Sequence, residues 1–288
     1  MTTPFRIGVH RRVAPELYHS WGAASNGALS QLLRSPAHMR AYLDREMRET
    51  PVLALGRAIH AAVLEPERFA QDYGLLPERM DRRTKEGKAQ WGALIEQFGQ
   101  GNVLSPEDHA TCMAIRNAVH QHQTAAALIS GTGDVELSVV WDDPYTGVRC
   151  KARWDRYSPE IPGGAIVDLK TTKDASRGAF ERAIFTYGYH RQASLYLMGA
   201  RVLDLPVRHY CIIAAEKEPP YAVAVYRITE GTIDATDEQV RELLRRYRQC
   251  QESGKYPGYP DEVQDITVPD WAWRLISGPL DELGEETA

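Results

Sequence analysis

The sequence predicts an α/β fold, a mixed sheet flanked by helices and preceded by a helical N-terminal region. Three observations carry that expectation. Residues 135–141, 148–155 and 165–170 alternate apolar and polar side chains with the period of two that marks a strand buried on one face. A helical stretch at about 176–199 follows, and strands return at 207–215 and 221–228. Upstream of residue 130 the pattern is mainly helical.

Taken in order, residues 1–17 read as irregular. Helices are expected near 27–34, 36–46, 52–64, 86–98 and 106–128. Asp142-Asp143-Pro144-Tyr145-Thr146-Gly147 has hairpin-turn composition, so the strand at 135–141 should pair with 148–155. The long helix at 176–199 starts after Asp174-Ala175-Ser176, and Glu216-Lys217-Glu218-Pro219-Pro220 turns between the last two strands. A final helix at about 236–253 stops at Gly254, with Pro257 and Pro260 beyond. There is no internal repeat and no low-complexity segment.

Length and composition agree with one soluble globular domain over residues 1–288. A chain of 288 residues can bury a sizeable core, and 43% hydrophobic with 25% charged residues is ordinary for a globular protein. No apolar run approaches bilayer length, and the N-terminus lacks a signal-peptide pattern. A cytoplasmic location with no membrane partner is therefore expected.

Three polar residues stand out at the strand positions. In Val148-Arg149-Cys150-Lys151-Ala152-Arg153-Trp154-Asp155, strict alternation puts Asp155 on one face with Arg149, Lys151 and Arg153. In Ala165-Ile166-Val167-Asp168-Leu169-Lys170, Asp168 and Lys170 project together from the face opposite Ala165, Val167 and Leu169. Two carboxylates are hard oxygen ligands suited to Mg²⁺, which takes octahedral coordination at about 2.0–2.1 Å. A metal there polarises a phosphoryl oxygen, and Lys170, its charged form disfavoured beside the cation, could orient or deprotonate the attacking water. Alone, an Asp-X-Lys is equally an ordinary salt-bridged strand end. Glu136, opposite Val135, Leu137 and Val139, lines the same cleft or is a surface glutamate.

As a set, Asp155, Asp168-Leu169-Lys170, Gly56-Arg57-Ala58-Ile59-His60 and Gln192-Ala193-Ser194-Leu195-Tyr196 resemble the PD-(D/E)XK nuclease superfamily, with closest likeness to the RecE-type phage exonucleases (exodeoxyribonuclease VIII). Further similar wording includes Leu29-Ser30-Gln31-Leu32-Leu33-Arg34-Ser35-Pro36, Leu64-Glu65-Pro66-Glu67-Arg68-Phe69, Asp81-Arg82-Arg83-Thr84-Lys85-Glu86-Gly87-Lys88 and Tyr187-Gly188-Tyr189-His190-Arg191-Gln192. The resemblance runs from about residue 18 to about residue 260. It implies a restriction-endonuclease-like fold, with a mainly helical part at about 18–130, a PD-(D/E)XK core at about 131–260 and a C-terminal tail at about 261–288.

The resemblance also implies site roles. His60, Asp155, Asp168 and the Leu169 backbone carbonyl would hold the metal, with Glu136 a tentative addition, and Gln192 and Tyr196 would lie near the DNA strand. From the residues alone, His60 on an apolar helix is equally a packed core histidine, and Gln192 with Tyr196 equally one face of an amphipathic helix. The activity implied is a Mg²⁺-dependent (or Mn²⁺-dependent) DNA exonuclease. It would act 5′→3′ on linear duplex ends and leave 3′ tails for a single-strand annealing protein in phage-type recombination. A ring-shaped homo-oligomer, trimer or tetramer, is implied too. Open alternatives are an endonuclease, a single-strand-specific nuclease and a non-catalytic DNA-binding module.

Cys112, Cys150, Cys211 and Cys250 are widely spaced with no Cys-x-x-Cys, so no iron–sulfur cluster, zinc site or disulfide framework is expected. Net charge is −5, from 34 basic against 39 acidic residues. Local patches matter more for phosphate contacts than the total. Arg149, Lys151, Arg153 and Arg156 surround the first aspartate, and Lys173 follows the second. Arg82, Arg83 and Lys85 lie in a second basic segment, which is equally a solvated loop and helix start. Acid concentrates at Asp281-Glu282-Leu283-Gly284-Glu285-Glu286, away from the proposed site.

Overall fold

The computed structural model describes residues 5–45 and 50–277. Strand β1 (Gly8–His10) and helix α1 (Pro15–Ser20) occupy a stretch expected to be irregular. Hydroxyl N-caps then set where the next helices begin. Ser25, Ser35 and Thr50 accept backbone N–H groups at the starts of α2 (Asn26–Leu32), α3 (Pro36–Asp44) and α4 (Pro51–Leu64). Proline opens α3 and α4, where no N–H is needed. After α5 (Pro66–Asp72) and β2 (Gly74–Leu75), Thr84 caps α6 (Lys85–Phe98). Ser105 caps α7 (Pro106–Gln121) beyond β3 (Val103–Leu104), which pairs in parallel with β2.

The helix expected at 106–128 is two helices. His122 has extended backbone, and its ring Nδ1 accepts the Ala125 N–H to start α8 (Gln123–Ile129) afresh. The sheet strands follow: β4 (Val135–Asp142), β5 (Arg149–Ser158) and β6 (Ala165–Thr172). The helix expected at 176–199 is also divided, into α9 (Arg177–Thr186) and α10 (Tyr189–Val202). Gly188 between them has φ +70°, and a Cβ there would strike the Arg191 guanidinium. β7 (His209–Glu216) and β8 (Val223–Arg227) complete the sheet. Thr229 starts α11 (Glu230–Ser253) earlier than the expected 236, and α12 (Asp270–Ser277) ends the described chain. The acidic stretch 281–286 lies outside the described residues.

Among the described residues the main sheet has the order β1-β4-β5-β6-β7-β8. β6 and β7 run parallel, joined through α9 and α10, and the other neighbours are antiparallel. The fold is thus α/β, a mixed sheet flanked by helices. Trp141, Trp154 and Ile212 on one face pack with Leu32, Leu195 and Leu244 of α2, α10 and α11. Val167, Leu169 and Ile213 on the other pack with Ile59, Ile115 and Leu128 of α4, α7 and α8. Burying each such aliphatic side chain contributes about 1.5–3 kcal/mol, which anchors α4 and α10 on opposite sides of β6. The four cysteines are buried and free. Among the described residues, no helix is long and apolar enough to cross a membrane.

Candidate active site

The strict alternation read from the sequence slips by one residue at Asp155. Cys150, Ala152 and Trp154 face the α10 side, but so does Tyr157. Arg156 and Ser158 face α8, where the Ser158 hydroxyl donates to the Leu128 carbonyl at 2.6 Å. Across the ladder, Glu136 has φ +51°, a rare and strained conformation for a side chain of its size. Pairing is regular on either side of it, at Val135↔Arg156 and Leu137↔Trp154, so Glu136 stands opposite Asp155. The irregularity re-aims both carboxylates without inserting a residue into either strand.

On the other side of β5, the ladder to β6 ends at Arg156↔Val167. Beyond that point the Leu169 N–H donates to Asp155 Oδ2 at 2.9 Å instead of to a strand carbonyl. A residue in a strand directs its N–H and C=O the same way, so the Leu169 carbonyl also faces this gap. Into it α4 delivers His60, whose Nδ1 lies 3.4 Å from Asp155 Oδ2. His60, Glu136 and Asp155 offer ligand atoms all within 4.8 Å of one another. Of the two readings open for Glu136 from the sequence, the cleft position is the one the structure shows.

Asp168 forms a second group with Lys170 and Gln192. Its Oδ1 accepts from Gln192 Nε2 at 2.8 Å, and its Oδ2 lies 2.6 Å from Lys170 Nζ. Lys170 also donates to Gln192 Oε1 at 3.3 Å. The Asp168 carboxylate is 2% exposed, and its Oδ2 is held by the Lys170 ammonium. Tyr196 packs edge-on to Tyr210 at 6.1 Å. Together with Gln192 it lines a cavity of about 550 Å³ that Tyr18, Tyr42 and Lys151 also border.

The charges in the gap are mutually unfavourable. Burial pushes the Asp155 carboxyl up, and the nearby charge of Asp168 adds to this against His60 and Lys170. Glu136 is pushed up to about 7, by burial first and then by Asp155. For Lys170, burial disfavours the charge but Asp168 and Asp155 outweigh it, so its pKa is raised. With the carboxylates adjacent and no cation between them, the lysine is held charged, whereas the expectation of a disfavoured ammonium concerns the metal-bound site. Two crowded carboxylates, an imidazole and a backbone carbonyl, with the Asp168 carboxylate beside them, fit a hard divalent cation.

A pH dependence follows from Glu136. A carboxyl with a raised folded pKa binds more protons folded than unfolded, so it lowers metal-free stability as pH rises from about 4.5 to about 7. A divalent cation needs the ionised form, so its stabilising effect should grow over the same window. Thermal unfolding in EDTA should give a shallower pH slope for Glu136→Gln than for the wild type. Equal slopes would show that Glu136 does not carry the shared proton.

Much of the basic patch read around Asp155 is turned inward onto backbone carbonyls. Lys151 Nζ donates to the carbonyls of Tyr18 at 2.8 Å and Trp21 at 2.7 Å, at the end of α1. Arg153 donates to the Val13 carbonyl at 2.9 Å and Ser138 Oγ at 3.0 Å. Arg149 pairs with Asp142, and Arg156 holds the carbonyls of Ser130, Gly131 and Gly133. Loop carbonyls on a buried face need donors, and these cations supply them. Lys151→Met should therefore cost about 2 kcal/mol in urea unfolding, because two buried acceptors lose their donor.

The remaining basic residues are placed elsewhere. Lys173 is exposed just past β6. Arg82 stacks on Trp91 at 4.1 Å, Arg83 forks onto Asp81, and Lys85 opens α6. Sequence reasoning gave no role to Tyr189, whose ring lies 4.9 Å from Lys170 Nζ. Its signal was present in the Tyr187–Gln192 run.

Residues 25–267 match the family described as a PDDEXK-like domain of unknown function (DUF3799). Among solved structures, the chain is similar to the crystal structure of a "Putative exonuclease" from Eubacterium rectale. The TM-score is 0.58 at 14% identity, covering 94% of this chain and 100% of that one. A structure named SSO0001 matches over 67% of this chain and 85% of its own at 12% identity, and its TM-score of 0.29 carries no argument. No curated protein matches. The family match spans most of the sequence, including the gap between β5 and β6, and the chain belongs to the PDDEXK-like family.

Proposed function

We propose that the protein is a divalent-metal-dependent deoxyribonuclease. The observation that carries this reading is the convergence of Asp155, Glu136 and His60 with Asp168 and Lys170 where β5 and β6 part. His60, Glu136, Asp155 and the Leu169 carbonyl are the residues that would hold the cation, with Asp168 closing the gap. Bound Mg²⁺, or Mn²⁺, supplies Lewis-acid polarisation of the scissile phosphate. Lys170, held charged by Asp168 and fixed by Gln192, orients the attacking water and offsets negative charge developing on the phosphoryl oxygens. Gln192 is a positioning residue, with Tyr196 packed behind it.

The finer reading is an exonuclease of RecE type, acting 5′→3′ on linear duplex ends and leaving 3′ tails. It works in the cytoplasm of a bacterial host, encoded by phage or prophage. A single-strand annealing protein takes the tails, and the enzyme encircles DNA as a trimer or tetramer. These finer points rest on the sequence resemblance. Purified protein given 5′-labelled linear duplex and closed circular duplex, with Mg²⁺ or EDTA, tests the proposal. Early release of 5′ label, an intact circle and no reaction in EDTA are expected. Nicking of the circle would make the enzyme an endonuclease, and hydrolysis in EDTA would overturn the metal site.

A further inference from the structure

Two large aromatic side chains are left on the surface where α9 gives way to α10. Phe185 is 76% exposed and Tyr187 is 66% exposed. The break at Gly188 places them: with φ +70° the chain leaves α9, presents Tyr187 outward and re-enters α10 at Tyr189. The rings form a path into the site. Tyr187 lies 5.7 Å from Tyr189 at 33°, and the Tyr189 ring lies 4.9 Å from Lys170 Nζ. Phe185 lies flat on His190 at 5.6 Å and 7°, and His190 is itself fixed by the Ile184 carbonyl at 3.0 Å. An exposed cation, Arg182, sits on α9 one turn before Phe185, and Lys173 is exposed just past β6.

A single exposed aromatic needs no explanation, but rings leading in sequence to a catalytic ammonium, with an exposed cation one turn away, form the pattern that holds unpaired nucleotides. Every base has a π-face, so stacking grips a strand without reading its sequence. The catalytic groups are also recessed: the side chains of Asp155, Lys170 and Asp168 are 15%, 21% and 2% exposed. A phosphodiester inside an intact duplex meets rim residues before it meets them.

We propose that Tyr187 and Phe185 form a stacking platform for an unpaired base next to the scissile phosphate, so that the strand enters the site with its terminal nucleotide already frayed from the duplex. This rests on the nuclease reading and adds the form of DNA end that the site accepts.

Fluorescence anisotropy with Asp168→Asn protein in Mg²⁺ tests it without hydrolysis. The probes are a 5′-phosphorylated oligothymidylate and the same strand with abasic terminal nucleotides. The intact strand should bind about tenfold tighter, the size of one good base–aromatic stack. Adding Phe185→Leu with Tyr187→Leu should abolish that preference and leave abasic-strand affinity unchanged. Tyr187→Trp, which keeps a ring, should preserve it. Equal binding of the two strands by Asp168→Asn protein, or a preference that survives loss of both rings, overturns the platform while leaving the nuclease reading intact. Failure to bind either strand also overturns the platform, while the duplex digestion in Mg²⁺ or EDTA decides the nuclease reading separately.

Discussion

Asp155→Asn and Asp168→Asn should each reduce Mg²⁺-dependent DNA degradation by roughly a hundredfold or more, yet they should move stability in opposite directions. The rate loss reflects the several kcal/mol that a positioned cation gives a phosphoryl-transfer transition state. The stability contrast reflects the partners. Asp168 lies 2.6 Å from the Lys170 ammonium, so the amide leaves a largely buried lysine without its counter-charge. Breaking such a pair costs about 3 kcal/mol. Asp155 is a carboxylate whose ionisation burial opposes, and Asp168 repels it. An amide there still accepts the Leu169 N–H and removes the repulsion, so Asp155→Asn should match or exceed the wild type in thermal unfolding without metal. Digestion of end-labelled duplex beside unfolding in EDTA measures both quantities. If both variants digest DNA at near-wild-type rates, the site assignment is wrong.

That contrast also marks how far the sequence could be read. Period-two alternation located β4, β5 and β6, and with them the placement of Asp168 and Lys170 on the face opposite Leu169. Alternation could not report its own failure. Continued strictly through Asp155, it aligns that residue with Arg149, Lys151 and Arg153 as a phosphate track, whereas the slip at Asp155 and Glu136 turns both acids toward His60. The slip depends on cross-strand geometry, and nothing in the local composition signals it.

The cations turn inward for a related reason. Lys151 finds its acceptors at Tyr18 and Trp21, far away along the chain, because the end of α1 packs against the sheet. A run of basic residues shows charge but not the carbonyls waiting for it. Gly188 is a milder case. One glycine inside a helical pattern is tolerated, so the stretch reads as one helix, and only its positive φ reveals the break that sets out Tyr187 and Tyr189.

Lys170→Met should separate water orientation from metal binding. An ammonium is no metal ligand, so the variant should keep its Mg²⁺ affinity or gain some, since a positive charge beside the carboxylates repels a cation. Hydrolysis should nevertheless fall by roughly a hundredfold, because the donor aimed at the reacting phosphate is gone. Methionine preserves most of the side-chain volume, so packing against Tyr189 persists while the contacts to Asp168 and Gln192 are lost. Asp168→Asn should weaken Mg²⁺ binding and hydrolysis together, and His60→Ala should show the same pattern more mildly. Calorimetric Mg²⁺ titration of the three variants, set beside their digestion rates, distinguishes the roles. Normal cleavage by Lys170→Met would reduce Lys170 to the electrostatic partner of Asp168, and water activation would then have to come from the metal-binding groups alone.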